Sequence, residues 1–269
     1  MRRAADERTF LAAGERAWIS GREDTGPEAV RIGPLRLLRA LRGGPQPAHR
    51  VELSPGIVRR ELRRGGSGVA PAVETLLAFR ELPAVVLQWS PAAAEDARLA
   101  LSLSWVCELP TEIGGQEERR SESRALSLDD QEGEPRILYL AAGRKARWRV
   151  APRPGGKRTT VGIDLELEGE PGAPVTLLVS APAIGGESAE ALARRLGRLE
   201  SEVARWSGGD GTGAETRLAF ASPEREVNRS LAWASSRVAA WRCAEPFRRS
   251  DRSRFARGLL ATGRFDALR

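Results

Sequence analysis

Histidine is almost missing from this sequence. His49 is the only one in 269 residues, which excludes any metal centre built on two or more imidazoles. CxxC and HExxH patterns are absent as well, so no metal and no cofactor is expected. A Ser-His-Asp triad would have to recruit His49 from the loop-like stretch PQPAHR. No GxSxG elbow accompanies it, and His49 reads as a solvated loop residue. Cysteine is scarce too: Cys107 lies in a strand-like run and Cys243 after a helical one, far apart, and both read as buried free thiols of a cytosolic protein. No run approaches the ~18 consecutive apolar residues of a membrane span. The opening MRRAADERTF has basic residues but no apolar core behind them, unlike a secretory signal. A cytoplasmic protein without a membrane partner is the expectation.

Lysine is also rare. Of 43 basic residues only Lys145 and Lys157 are lysines, yet the net charge is +7 and the isoelectric point about 10.6. Such values invite a nucleic-acid reading. The arginines argue against it, because they are interleaved with acids: Arg194–Arg195 face Glu190 and Glu200, and Arg119–Arg120 follow Glu117–Glu118. No nucleic-acid motif accompanies the charge, so no nucleic-acid partner is expected.

What is present is period-two patterning. RTFLAA and RAWISG are short runs parted by Gly14 and Glu15. Leu76–Phe79 and Val85–Trp89 flank a turn-like Glu-Leu-Pro. In ARLALSLSW, Leu99, Leu101, Leu103 and Trp105 share one face and Ala100, Ser102 and Ser104 the other, as in a strand with one buried face. RILYLAA and ARWRVA repeat the theme as two further runs. In TVGIDLELEG, Val161, Ile163, Leu165 and Leu167 oppose Gly162, Asp164, Glu166 and Glu168. Those acids read as the solvated side of an amphipathic strand rather than as paired catalytic carboxylates. Strands at this spacing, joined by Gly/Pro turns, predict two packed antiparallel sheets.

Near Gly185–Gly186 the period changes. Leu192, Leu196, Leu199, Val203 and Trp206 repeat at helical spacing behind an N-cap at Ser188, with Glu190 in the first turn. SGGDGTGAE follows; it lacks the Gly-Lys-Ser/Thr ending of a phosphate loop and reads as a linker. A second helix opens with Ser222 as N-cap, Pro223 in first position and Glu224 and Glu226 at the positive end. Val227, Leu231, Ala234, Val238 and Trp241 form its stripe, widened by Trp233.

This order of features resembles the N-terminal part of bacterial glycogen-debranching, amylo-α-1,6-glucosidase-like glycoside hydrolases. RTFLAAGERAWISGREDTGPEAVRIGPLRLLRAL is similar to that family's opening, a first strand, then a strand pair and a PLRLL turn. VETLLAFRELPAVVLQWS is similar to its sandwich hairpin, and SPEREVNRSLAWASSRVAAW to its first barrel helix, with Pro223, Glu224, Asn228, Trp233 and Ala234 at matching places. The resemblance implies a mainly β fold. An antiparallel, supersandwich-like β-sandwich would span residues 1–182, a linker helix and Gly-rich loop 183–215, and the start of an incomplete (α/α)6 barrel 216–269.

It further implies carbohydrate metabolism and an α-glucan or oligosaccharide partner. Gly263, Arg264, Phe265, Asp266 and Ala267 echo, in altered order and without an aromatic lead-in, a family motif that reaches the sugar, so Arg264 and Asp266 are the candidate substrate-binding residues. The helices that would carry the acid and base do not follow, so no catalytic residue is assigned and the chain alone is expected not to hydrolyse glycosides. Asp129–Asp130 reads as a turn.

Two alternatives belong to other classes. A stand-alone carbohydrate-binding or interaction module would use aromatic platforms. Trp89 and Trp105 lie on apolar faces and read as core, while Trp18 and Trp148 are open to either role. If the two helical stripes lack cover, they would favour self-association.

Overall fold

The computed structural model describes residues 9–14, 16–33, 35–42, 47–54, 56–62, 71–79, 82–91, 98–109, 119–128, 138–153, 159–181 and 191. The two helices expected from the sequence, the linker, and Cys243, Arg264, Asp266 and Asp129–Asp130 lie outside these residues.

Thirteen strands run in chain order: β1 (Thr9–Ala13), β2 (Ala17–Arg22), β3 (Gly26–Ile32), β4 (Leu35–Arg42), β5 (Ala48–Ser54), β6 (Ile57–Leu62), β7 (Pro71–Ala78), β8 (Ala84–Pro91), β9 (Ala100–Leu109), β10 (Arg119–Leu128), β11 (Leu138–Arg153), β12 (Thr159–Glu168) and β13 (Val175–Ser180). Every described pairing is antiparallel. The hydrogen-bonded path is β1-β2-β3-β4-β9-β12-β11-β13-β8-β7-β6-β5, with β10 on the other edge of β11.

This path doubles back on itself. β1 and β2 touch β6 and β7 without pairing to them, so its two ends form facing layers. Between them lies one continuous apolar core, to which Phe10, Ile19, Val30 and Ile32 contribute from one layer and Val58, Leu76, Leu87, Trp89 and Leu177 from the other. The mainly β, antiparallel and sandwich-like expectation agrees with this arrangement.

The hinge between the layers is β11. The sequence suggests two runs, RILYLAA and ARWRVA; the structure makes them one strand of 16 residues. Its second half, from Ala146 to Arg153, pairs with β12, while Tyr139–Ala142 pairs with β13. Along its other edge Ser123 of β10 faces Ala146, but Ala125 faces Ala141, so four residues of β11 stand against one of β10 in a bulge. A bulge bends and twists its strand, and here it marks the point where β11 leaves one layer for the other. Gly143, Arg144 and Lys145 lie between the two runs in the sequence.

Leu35–Arg42, expected as a PLRLL turn, is strand β4, because β3 and β9 pair with it on either side. β5, β6, β10 and β13 are further strands that the sequence does not announce. β10 (RRSESRALSL) is too polar to announce itself, being an edge strand whose partner supplies its register. β5 and β6 form a hairpin in which Ser54 faces Ile57 and Gly56 takes a positive φ of 72°. His49 accordingly lies in strand β5 and not in a loop. It is half exposed, and its Nε2 stands 3.4 Å from Glu61 Oε2 on β6.

Candidate functional site: a charged ladder on the outer sheet face

Alternation decides which side chains of β9, β11 and β12 reach solvent. Leu101, Leu103, Trp105, Ala146, Trp148, Val150, Ile163, Leu165 and Leu167 are buried, and the residues between them point outward. The antiparallel registers then align the outward residues into two cross-strand rows. One reads Glu122–Arg147–Glu166–Ser102 across β10, β11, β12 and β9; the next reads Arg120–Arg149–Asp164–Ser104.

The rows are bonded internally. Arg147 donates from Nε to Glu122 at 3.1 Å and from Nη1 to Glu166 at 3.4 Å, bridging three strands. Those two hydrogen bonds, Glu122 first, together with the nearby charges of Glu122 and Glu168, hold Arg147 more firmly protonated than an isolated guanidinium. Arg149 Nη1 stands 3.9 Å from Asp164, whose Oδ1 accepts a 2.8 Å hydrogen bond from Ser104 Oγ. A groove of about 670 Å³ lies over these rows. Among the described residues, three arginines (120, 147 and 149) and three carboxylates (122, 164 and 166) line it.

Trp148 also borders the groove, and it is buried at 2% exposure. Its Nε1 donates to the Ser123 carbonyl at 3.0 Å, beside the bulge, where Ser123 Oγ also bonds the Ala125 carbonyl. The indole belongs to the core and pins the bulge; it offers no open stacking face. Trp89 and Trp105 are core residues as expected, at 0% and 1% exposure. Trp18 is half buried, with the Arg31 guanidinium 5.6 Å from its ring centroid, so one ring face is occupied by a cation. Asp164, Glu166 and Glu168 stand on the outward face, as their alternation implies.

A second polar cluster lies inside the sandwich. Arg60 of β6 and Glu74 of β7 are opposite one another in register, fully buried and ion-paired. Trp89 Nε1 donates to Glu74 Oε1 at 2.9 Å, and Arg60 Nη2 donates across the interior to the Glu23 carbonyl in the β2–β3 turn at 2.9 Å. The guanidinium also stands 5.8 Å from the Phe10 ring centroid. Gly26, at φ +94°, admits it: a Cβ there would lie 2.8 Å from Arg60 Nη1. Desolvation pushes the Glu74 carboxyl above its ordinary range, against the lowering effect of Arg60 and Trp89. Neither residue stands out in sequence, since Arg60 is one of many arginines and Glu74 opens an apolar run.

Among the described residues no cluster of three or more His, Cys, Asp or Glu side chains is placed to hold a metal. No helix among them is long and apolar enough to cross a membrane. The candidate sugar contacts Arg264 and Asp266 lie outside the described residues, and the ladder is a further candidate site. Its signal was present as Arg147/Arg149 alternating around Trp148 and Asp164/Glu166 around Leu165. The pairing of these runs with one another was not.

No protein-family model matches the chain. No curated protein matches it either. Among solved structures, a 4-α-glucanotransferase from Thermococcus litoralis aligns with a TM-score of 0.43 and 8% identity, over 65% of this chain and 37% of that one. The chain thus spans little more than a third of that enzyme's length, and a likeness at this level bears on neither activity nor substrate.

Proposed function

We propose that residues 1–182 are the β-sandwich of a carbohydrate-processing protein of the glycogen-debranching type, and that the ladder face receives an α-glucan chain. Residues 183–215 would then be the linker and 216–269 the start of a helical domain. The observation carrying this reading is the mixed charge of the described lining, three arginines paired with three carboxylates in two bonded rows. An anionic ligand would call for excess positive charge. A neutral, hydroxyl-rich chain calls instead for many oriented donors and acceptors, which guanidinium and carboxylate groups supply at strand spacing.

Alone, the sandwich is proposed to bind rather than hydrolyse. Glycoside hydrolysis needs a carboxylic acid and a carboxylate flanking the bond. Glu122, Glu166 and Asp164 are each held by an arginine, and Glu74 is enclosed with Arg60. Of the aromatic residues a stand-alone module could use, Trp148 is buried and Trp18 is half buried with Arg31 over one ring face.

Calorimetric titration of the full chain with maltoheptaose and with glycogen tests the proposal. Binding that is insensitive to salt, and at least about tenfold weaker in Arg147→Ala/Arg149→Ala, is expected; removal of this many oriented hydrogen bonds is worth more than the ~1.4 kcal/mol of one decade. No measurable heat with either glucan, or hydrolysis of either by this chain, would overturn it.

A further inference from the structure

The second layer has an unexpected outer face. In register across six strands run Ala125, Ala141, Leu178, Val86, Leu77 and Ile57, from β10 through β11, β13, β8 and β7 to β6. These side chains point away from the interior core and form a separate apolar cluster with Phe79, Ala84 and Tyr139. A two-layer sandwich should wet such a face. Instead Val86 is 0% exposed and Leu178 1%, and the neighbouring Gln88 and Thr176 are buried and bonded to each other at 3.2 Å. β1 and β2 touch this layer without pairing to it, and their side chains share the interior core with Val58, Leu76 and Leu87. Among the described residues, no strand is layered over this outer face.

We propose that residues 188–206 supply this cover, docking as an amphipathic helix with Leu192, Leu196, Leu199, Val203 and Trp206 on the row. Three observations favour this segment. It follows directly on β13, whose Leu178 is at the centre of the row, with Ala181 still buried at the exit. Its stripe is purely apolar, as is the row from Ala141 to Ile57. The lengths also agree: from Leu192 to Trp206 a helix rises about 21 Å, and four strand spacings from Ala141 to Ile57 span about 19 Å. The segment is then an integral third layer and not a free stripe seeking a second copy. Only the later stripe, Val227–Trp241, remains for another partner.

Thiol labelling of the full chain in a Cys243→Ser background tests this. Val86→Cys places a thiol in the row, while Cys107, buried in the interior core, reports on opening of the whole sandwich. The new thiol should be protected. Leu196→Asp/Leu199→Asp should raise its labelling rate at least about tenfold with Cys107 silent, and Leu231→Asp/Val238→Asp should not. Fast labelling without the Asp pair, protection that disappears on dilution, or exposure by the second pair alone would each overturn the proposal. Should the first pair also expose Cys107, Leu196→Ala/Leu199→Ala and amide exchange of the unaltered 192–206 segment decide. Slow exchange with selective labelling supports docking, and exchange at unstructured rates overturns it.

Discussion

The guanidinium of Arg60 and the carboxylate of Glu74 meet inside the sandwich, and neither side chain reaches solvent. Through them β6, β7, β8 and the β2–β3 turn are tied together, since Trp89 and the Glu23 carbonyl complete the cluster. The cluster is costly as well as connective. Two charges have lost their water, and Arg60 Nε has no hydrogen-bond partner among the described residues.

Removing one partner should therefore hurt more than removing both. Arg60→Met or Glu74→Leu alone is expected to cost about 3–5 kcal/mol in urea unfolding, because each strands a buried charge. The double variant should be more stable than either single one. It should not gain fully, since Trp89 Nε1 then loses its acceptor at a cost of about 1–3 kcal/mol. Strictly additive losses would refute this account of the pair.

The same carboxyl predicts a pH effect of definite sign. Its folded pKa lies above the ordinary value because desolvation outweighs the attraction of Arg60. Above the unfolded pKa the unfolded chain has released a proton that the folded chain still holds. Its contribution to stability is thus fully present below the ordinary carboxyl pKa and is lost as pH rises through the raised folded value. Urea midpoints measured against pH should show this loss in the parent chain and not in Arg60→Met/Glu74→Leu.

Gly26 seats the guanidinium. Gly26→Ala would force a Cβ into a φ of +94° and to within 2.8 Å of Arg60 Nη1. A loss of about 1–3 kcal/mol is expected from backbone strain. In the Arg60→Met background the steric part of that loss should shrink, which a double-mutant cycle would read.

On the outer face the expectation reverses. Arg147 bridges Glu122 and Glu166 in full view of solvent, with side-chain exposures of 63%, 52% and 60%. Exposed ion pairs contribute little to folding. Arg147→Ala should leave the thermal midpoint nearly unmoved while weakening glucan binding, and a large drop in the midpoint would reassign the ladder to stability.

Cys107 offers a native-state probe. Burial pushes its thiol well above the ordinary range, so almost no thiolate exists near neutral pH. In a Cys243→Ser chain, labelling should follow global unfolding only, and its rate should track urea-dependent stability.

Much of the fold was legible in the sequence because burial imposes period two on any strand with one wet face. ARLALSLSW and TVGIDLELEG named their inward residues correctly, down to Leu101, Leu103, Trp105, Ile163, Leu165 and Leu167. VETLLAF and AVVLQWS were recognisable as strands on either side of Glu-Leu-Pro, although β8 is buried on both faces and shows no alternation. Where the pattern is weak, the reading fails. β10 is polar along most of its length, and β11 is interrupted by Gly-Arg-Lys, so one carries no strand signal and the other reads as two runs.

The amino-acid sequence by itself determined which side of each amphipathic strand faces water, because that depends on residues two apart. Only the tertiary structure decided who stands beside whom. Arg147 meets Glu122 and Glu166 across strands separated by loops, and Arg60 meets Glu74 and the Glu23 carbonyl through a core closed by the whole sandwich. Pairing partners and strand register arise from long-range hydrogen bonding and packing, which local periodicity does not encode. The charged ladder and the buried ion pair are therefore products of topology, although every residue in them was visible from the start.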